Sequence, residues 1–196
     1  MLKLFKLTLL LALSSLLAAC DTGGGAPVSA PNFKRYQPIY MKVSKIEVLE
    51  EYRSPNVAPN VEHMMSYSPA DAMQIWVKQR LRAAGGPKTM QVIIKDASVV
   101  GQDVPGSDVM FGWGGTRQYD TRLEVELRVY GDAALSEASV GVVATRTLKL
   151  PASASVATRD QKFRAMIEEM MTTVNAEMEK NIFQHLGSYV NFSMNP

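Results

Sequence analysis

Tyr119-Asp120-Thr121-Arg122-Leu123-Glu124-Val125-Glu126-Leu127-Arg128-Val129-Tyr130 is the stretch that decides the fold. Tyr119, Thr121, Leu123, Val125, Leu127 and Val129 fall on one side of an extended chain. Asp120, Arg122, Glu124, Glu126 and Arg128 fall on the other. A period of two sustained over this length means a strand with one packed face and one wet face. Such a strand belongs to an antiparallel sheet covered on a single side, because strands buried on both faces read as unbroken apolar runs.

The neighbouring segments extend this sheet. Residues 90–100 read as a strand before it. Residues 138–150 read as a strand after it, with Val140, Val142, Ala144 and Leu148 on one face and Pro151 closing it. These three are expected to form a meander. Residues 41–52, with β-branched Val43, Ile46 and Val48, form a further strand that either edge of the meander could accept. Two helices supply the cover. Ser68 is placed as an N-cap, Pro69 as N1 and Asp71 in the first turn, where the helix dipole favours an acid. Met73, Trp76, Val77, Leu81 and Ala84 then make a helical stripe that Gly85-Gly86-Pro87 ends. The second helix opens at Thr158-Arg159-Asp160-Gln161, a capping-box pattern, and buries Phe163, Ile167, Met170, Met171, Val174, Met178, Ile182 and Leu186. The expected fold is α+β: a two-layer sandwich in the order β-α-β-β-β-α, with a four-stranded, mostly antiparallel sheet and both helices on one face.

A chain of 196 residues with 46% apolar and 20% charged residues suits one folded domain and is too apolar for a disordered one. It holds 21 Lys+Arg against 19 Asp+Glu, and two of the lysines, Lys3 and Lys6, precede an apolar run. Without them the charge balances at 19 against 19, so no basic footprint for nucleic acid remains. Cys20 is the one cysteine, which excludes an intramolecular disulfide and a thiolate metal cluster.

The N-terminus reads as an address. Lys3 and Lys6 form a positive region, and residues 7–17 an apolar core too short to span a bilayer. Leu17-Ala18-Ala19-Cys20 follows and resembles the bacterial lipobox. That resemblance implies cleavage before Cys20, a diacylglycerol on its thiol and acylation, palmitate included, of the new amine. Residues 1–19 are then a lipoprotein signal peptide, and 196 − 19 = 177 residues remain. Two or more acyl chains anchor a protein stably where one does not. Asp21 resembles the inner-membrane retention signal of enteric bacteria, and the choice between inner and outer membrane stays open. Residues 20–32 carry three glycines and two prolines and form a tether of at most about 40 Å. Residues 33–196 are the domain.

Candidate sites are few. The loop of residues 106–116 holds Phe111 and Trp113 among four glycines, a pattern suited to touching a partner or a lipid surface, or to folding back on the domain's own edge. Val61-Glu62-His63-Met64-Met65 offers imidazole and thioether donors for a soft metal, without the second motif such a site needs, so no metal is assigned. Met166, Met170, Met171 and Met178 either fill the core or line an adaptable groove. Glu124 and Glu126 lie on the wet face of their strand, where solvated charge is the default. No HExxH, GxSxG or P-loop pattern occurs, and no enzyme activity or cofactor is expected.

Lipobox, tether and a β-α-β-β-β-α sandwich together are similar to the lipopolysaccharide-assembly lipoprotein and to the auxiliary lipoproteins of ABC-type lipid transport systems. Only Leu17 to Cys20 match by residue. The resemblance implies a non-catalytic accessory role in an envelope complex, transport or assembly, with the domain facing the periplasm. A carrier holding a small amphiphile between helices and sheet is the alternative, and an enzyme of unrecognised type a second one. An open apolar cavity would favour the carrier, a close-packed core with an exposed aromatic loop the accessory protein, and convergent polar groups with shifted pKa values the enzyme.

Overall fold

The computed structural model describes residues 29–104, 115–131 and 135–194. Two short strands come early, β1 (Ile39–Met41) and β2 (Lys45–Glu50), followed by helix α1 (Pro69–Arg80) and strand β3 (Leu81–Ala83). Three long strands, β4 (Thr89–Val104), β5 (Thr116–Tyr130) and β6 (Ser136–Pro151), precede helix α2 (Val156–His185). The principal sheet has the order β2-β4-β5-β6. β4, β5 and β6 form the expected antiparallel meander, while β2 lies parallel to β4 on its far side. The fold is α+β with a mixed sheet, and the strand whose edge was open in the sequence joins beside β4. A parallel neighbour needs a crossover, and α1 with its flanking loops supplies it.

The alternation of β5 is kept without exception. Tyr119, Thr121, Leu123, Val125, Leu127 and Val129 are buried on the helical side. On β4 a bulge between Ile94 and Asp96 shifts the register by one, so the inward set runs Met90, Val92 and Ile94 and then Ala97 and Val99. Trp76 and Met73 of α1 and Ile167, Met170, Met171 and Val174 of α2 meet that face and are almost fully excluded from solvent. The residues named from the stripe and the alternation, Leu81, Val140 and Val142 among them, are buried, save Ala84 and Leu148, which are half-buried.

Helix α1 starts as its sequence dictates. The Ser68 hydroxyl accepts the Asp71 amide at 3.1 Å and the Asp71 carboxylate accepts the Ser68 amide at 2.9 Å, so two otherwise orphaned donors are satisfied. The helix ends at Arg80, earlier than its stripe suggested. Leu81 turns extended, and Leu81–Ala83 pairs in parallel with β1. Leu81 therefore reaches the core from a strand. Gly85 and Gly86 then adopt positive φ, and a Cβ on Gly86 would stand 2.9 Å from the Lys42 carbonyl oxygen. The first strand also starts later than expected, at Lys45 rather than residue 41, because residues 39–41 leave the main sheet to pair with β3. In α2 the cap is Ser155, whose hydroxyl accepts the Thr158 amide at 3.1 Å, and residues 158–161 lie within the helix. Its 30 residues span about 45 Å, close to the length of the long strands beneath it.

Candidate functional site

Cys20, Phe111 and Trp113 lie outside the described residues. The points where their segments join the domain are described. Phe33 is 6% exposed and packs into the core, and its amide donates to Gln79 Oε1 at 2.6 Å. Residues 29–33 run over the solvent side of α2 and, with Ala165, Glu168, Glu169 and Thr172, line a trough of about 410 Å³. Residues 29–32 therefore approach the domain across the helical layer. The loop holding Phe111 and Trp113 joins Val104 to Thr116, which face each other as the last pair of the β4–β5 hairpin.

Between helices and sheet the space is filled by side chains. Met166, Met170, Met171 and Met178 are all buried, so the methionines complete the core and line no open groove. A cavity of about 20 Å³ among Val61, Met64, Arg117, Tyr119, Arg159 and Phe163 holds at most a water molecule. Tyr119 and Phe163 meet edge to face there, with ring centres 4.8 Å apart. The larger hollows are open ones. One of about 550 Å³ lies among Lys42, residues 85–88, Ser188 and Tyr189. Another, of about 220 Å³, lies over Gly141 between Glu126 and Val143 on the open face of the sheet.

The buried polar groups act as ties. Glu62 sits in a short 3-10 turn, 6% exposed, and accepts from the Val99 amide at 2.6 Å, Tyr52 Oη at 2.8 Å, Ser54 Oγ at 2.8 Å and Asn60 Nδ2 at 3.0 Å. Burial pushes its pKa up, but the hydrogen bonds from Val99, Asn60 and Ser54 outweigh burial and leave it below the usual carboxylate value. Burial first, then the neighbouring Glu62 carboxylate, raise Tyr52 above the ordinary phenol value. The carboxylate binds the loop of residues 51–65 to β4. His63 is exposed while Glu62 points inward, so the motif of residues 61–65 does not converge on one point.

Arg80, 1% exposed, donates Nε to Asn175 Oδ1 at 2.9 Å, Nη1 to the Gln37 carbonyl and Nη2 to Glu179 at 2.5 Å. Trp76 Nε1 reaches the same Asn175 oxygen at 2.9 Å, so one amide on α2 locks two residues of α1. Sequence reasoning missed this cluster. Its signal was a charged residue four positions after Trp76 on the buried stripe.

The outer face of the sheet carries paired charge. Arg128 holds both oxygens of Glu126, at 2.6 and 2.9 Å, and Lys95 reaches Glu126 from β4. Hydrogen bonds from Arg128, working against burial, depress the Glu126 carboxyl to about 2. Arg122 bridges Glu124 at 2.5 Å and Asp96 at 3.3 Å. Glu124 and Glu126 are thus clamped on the wet face rather than freely solvated. Among the described residues no cluster of three or more His, Cys, Asp or Glu is placed to hold a metal ion, and no helix is long and apolar enough to cross a membrane.

No family model matches this chain, and no curated protein matches it. Among solved structures it is similar to a minor lipoprotein from Acinetobacter baumannii, at 10% identity and a TM-score of 0.39 over 70% of this chain and 93% of that one. It is also similar to a protein described as a neuraminyllactose-binding hemagglutinin homolog from Helicobacter pylori. There the identity is 10% and the TM-score 0.41, over 84% of this chain and 96% of that one. At these scores no functional residue transfers from either.

Proposed function

We propose that this is a lipid-anchored protein of the bacterial envelope whose domain works by binding, as an accessory member of a membrane-associated complex, and performs no catalysis. One observation carries the choice between accessory protein and amphiphile carrier: the layer between helices and sheet is closed. Met73, Trp76, Leu123, Ile167 and Met170 leave no exposed surface inside it, and a lipid tail would need several hundred Å³ there. The buried polar groups support the reading, since Glu62, Arg80 and Asn175 spend their bonding capacity on holding elements together. The anchor is Cys20, by its lipobox resemblance. Phe111 and Trp113 are assigned to partner contact, as aromatic side chains between the ends of a long hairpin.

The test is purification of the full chain from detergent-extracted membranes of its own host, followed by protein and lipid mass spectrometry. The accessory reading expects an envelope protein to co-purify, and expects the Phe111→Ser, Trp113→Ser protein to lose it while keeping its thermal midpoint. A chain that purifies alone with stoichiometric bound lipid, beyond that attached to Cys20, contradicts it and restores the carrier.

A further inference from the structure

We propose that two copies of this chain join through the open edge of β2, antiparallel, with a two-fold axis at Val48. The two sides of the principal sheet end differently. Along β6, Asn181 of α2 donates to the Gly141 carbonyl at 3.1 Å and Arg146 to the Thr145 carbonyl at 2.9 Å, so side chains meet two of its outward carbonyls. Past the bulge on β4, residues 59–61 close the edge: Val61 donates to Val99 at 2.9 Å and Gly101 donates to Pro59 at 2.8 Å. β2 carries no such side-chain contact on its outward backbone. Val48 is 39% and Leu49 44% exposed, on opposite faces of the strand.

The ladder shows which backbone groups are free. Glu51 gives its amide to the Ile94 carbonyl, continuing the parallel pairing of β2 with β4. In such a ladder alternate residues turn to the neighbour, so Glu47 and Leu49 face β4, while Ile46, Val48 and Glu50 aim their N–H and C=O groups outward. Among the described residues no hydrogen bond is made to these outward backbone groups, Gln74 of α1 reaching only the Glu50 carboxylate at 3.2 Å, and β2 has no proline or bulge to discourage pairing.

The occupant follows from charge. Lys45, which pairs with Glu47 of its own strand at 2.6 Å, and Glu51 stand equally far from Val48, both on the face opposite it. An antiparallel copy centred on Val48 sets Lys45 of each chain opposite Glu51 of the other, with the two Val48 side chains in contact at the middle. Shifting the centre to Glu47 would oppose like charges and lose both pairs. The two-fold axis stands perpendicular to the sheet, so both helical layers lie on one side. Residues 29–33 of both copies, which run over α2, then lie on that side, as the lipid anchor of the proposed function requires of two chains in one bilayer.

The full chain is tested in membranes by copper–phenanthroline oxidation of Val48→Cys, with the unsubstituted chain and Val143→Cys, on the exposed face of β6, as controls. Paired residues on the axis have Cα atoms about 5.5 Å apart, within disulfide reach. A cross-linked species of twice the chain mass is expected for Val48→Cys and not for the controls. Adding Lys45→Glu should abolish it, and adding Glu51→Lys to that protein should restore it. Equal cross-linking in Val48→Cys and Val143→Cys, an adduct with a different protein, or failure of the charge exchange to restore the dimer would each overturn the proposal.

Discussion

Removing the Glu62 carboxylate strands the Val99 amide and frees the loop that Tyr52, Ser54 and Asn60 hold in place. Glu62→Ala is expected to cost about 1–3 kcal/mol in urea unfolding, because an unsatisfied buried donor loses its full solvation. Glu126 has a different signature. Its folded pKa of about 2 lies below the unfolded value near 4.5, so the unfolded chain binds the proton first as pH falls. The stability Glu126 contributes is complete above the unfolded pKa and is lost as pH drops from there through about 2. Thermal midpoints of Glu126→Gln should therefore fall less steeply below pH 4.5 than those of the parent, and parallel slopes would show that Arg128 and Lys95 do not hold this carboxylate. Neither role was legible beforehand. A lone Glu beside His and Met reads as an exposed motif, and its donors come from positions brought near only by folding.

At the scale of elements, β5 was legible because one physical cause, a single-sided core, acts on every residue of it. Val125→Asp places an unpaired charge in the buried core and is expected to cost more than about 4 kcal/mol, while Glu124→Ala, on the opposite face, should cost under about 1 kcal/mol. Similar losses in denaturant melts would mean that the faces of β5 are misassigned. Ser68 was legible for a local reason, its hydroxyl and the Asp71 carboxylate being within one turn. Ser68→Ala should remove about 1 kcal/mol. The end of α1 was not legible, since the stripe runs on through Leu81 and the strand that replaces it depends on β1, some 40 residues earlier. The edge taken by β2 was hidden for the same reason. A strand's own pattern states which face is buried and says nothing of its neighbour.

At the scale of the whole molecule, the described residues share one packed core. Phe33 fixes the point where the domain begins, so about 43 Å of extended chain at most separates it from Cys20. Charge of both signs is paired over the outer sheet face. Membrane attachment is assigned to one residue, and the domain contributes no spanning helix among its described residues. Fractionation of the Cys20→Ala protein alongside the parent, with mass spectrometry of the mature N-terminus, tests this most directly. The parent is expected in the membrane fraction, its first residue a Cys20 heavier by a diacylglycerol and an acyl chain, and the Cys20→Ala protein in the soluble fraction. A Cys20→Ala protein that stays in the membrane after its signal has been cleaved, or a parent with an unmodified Cys20, would contradict the account.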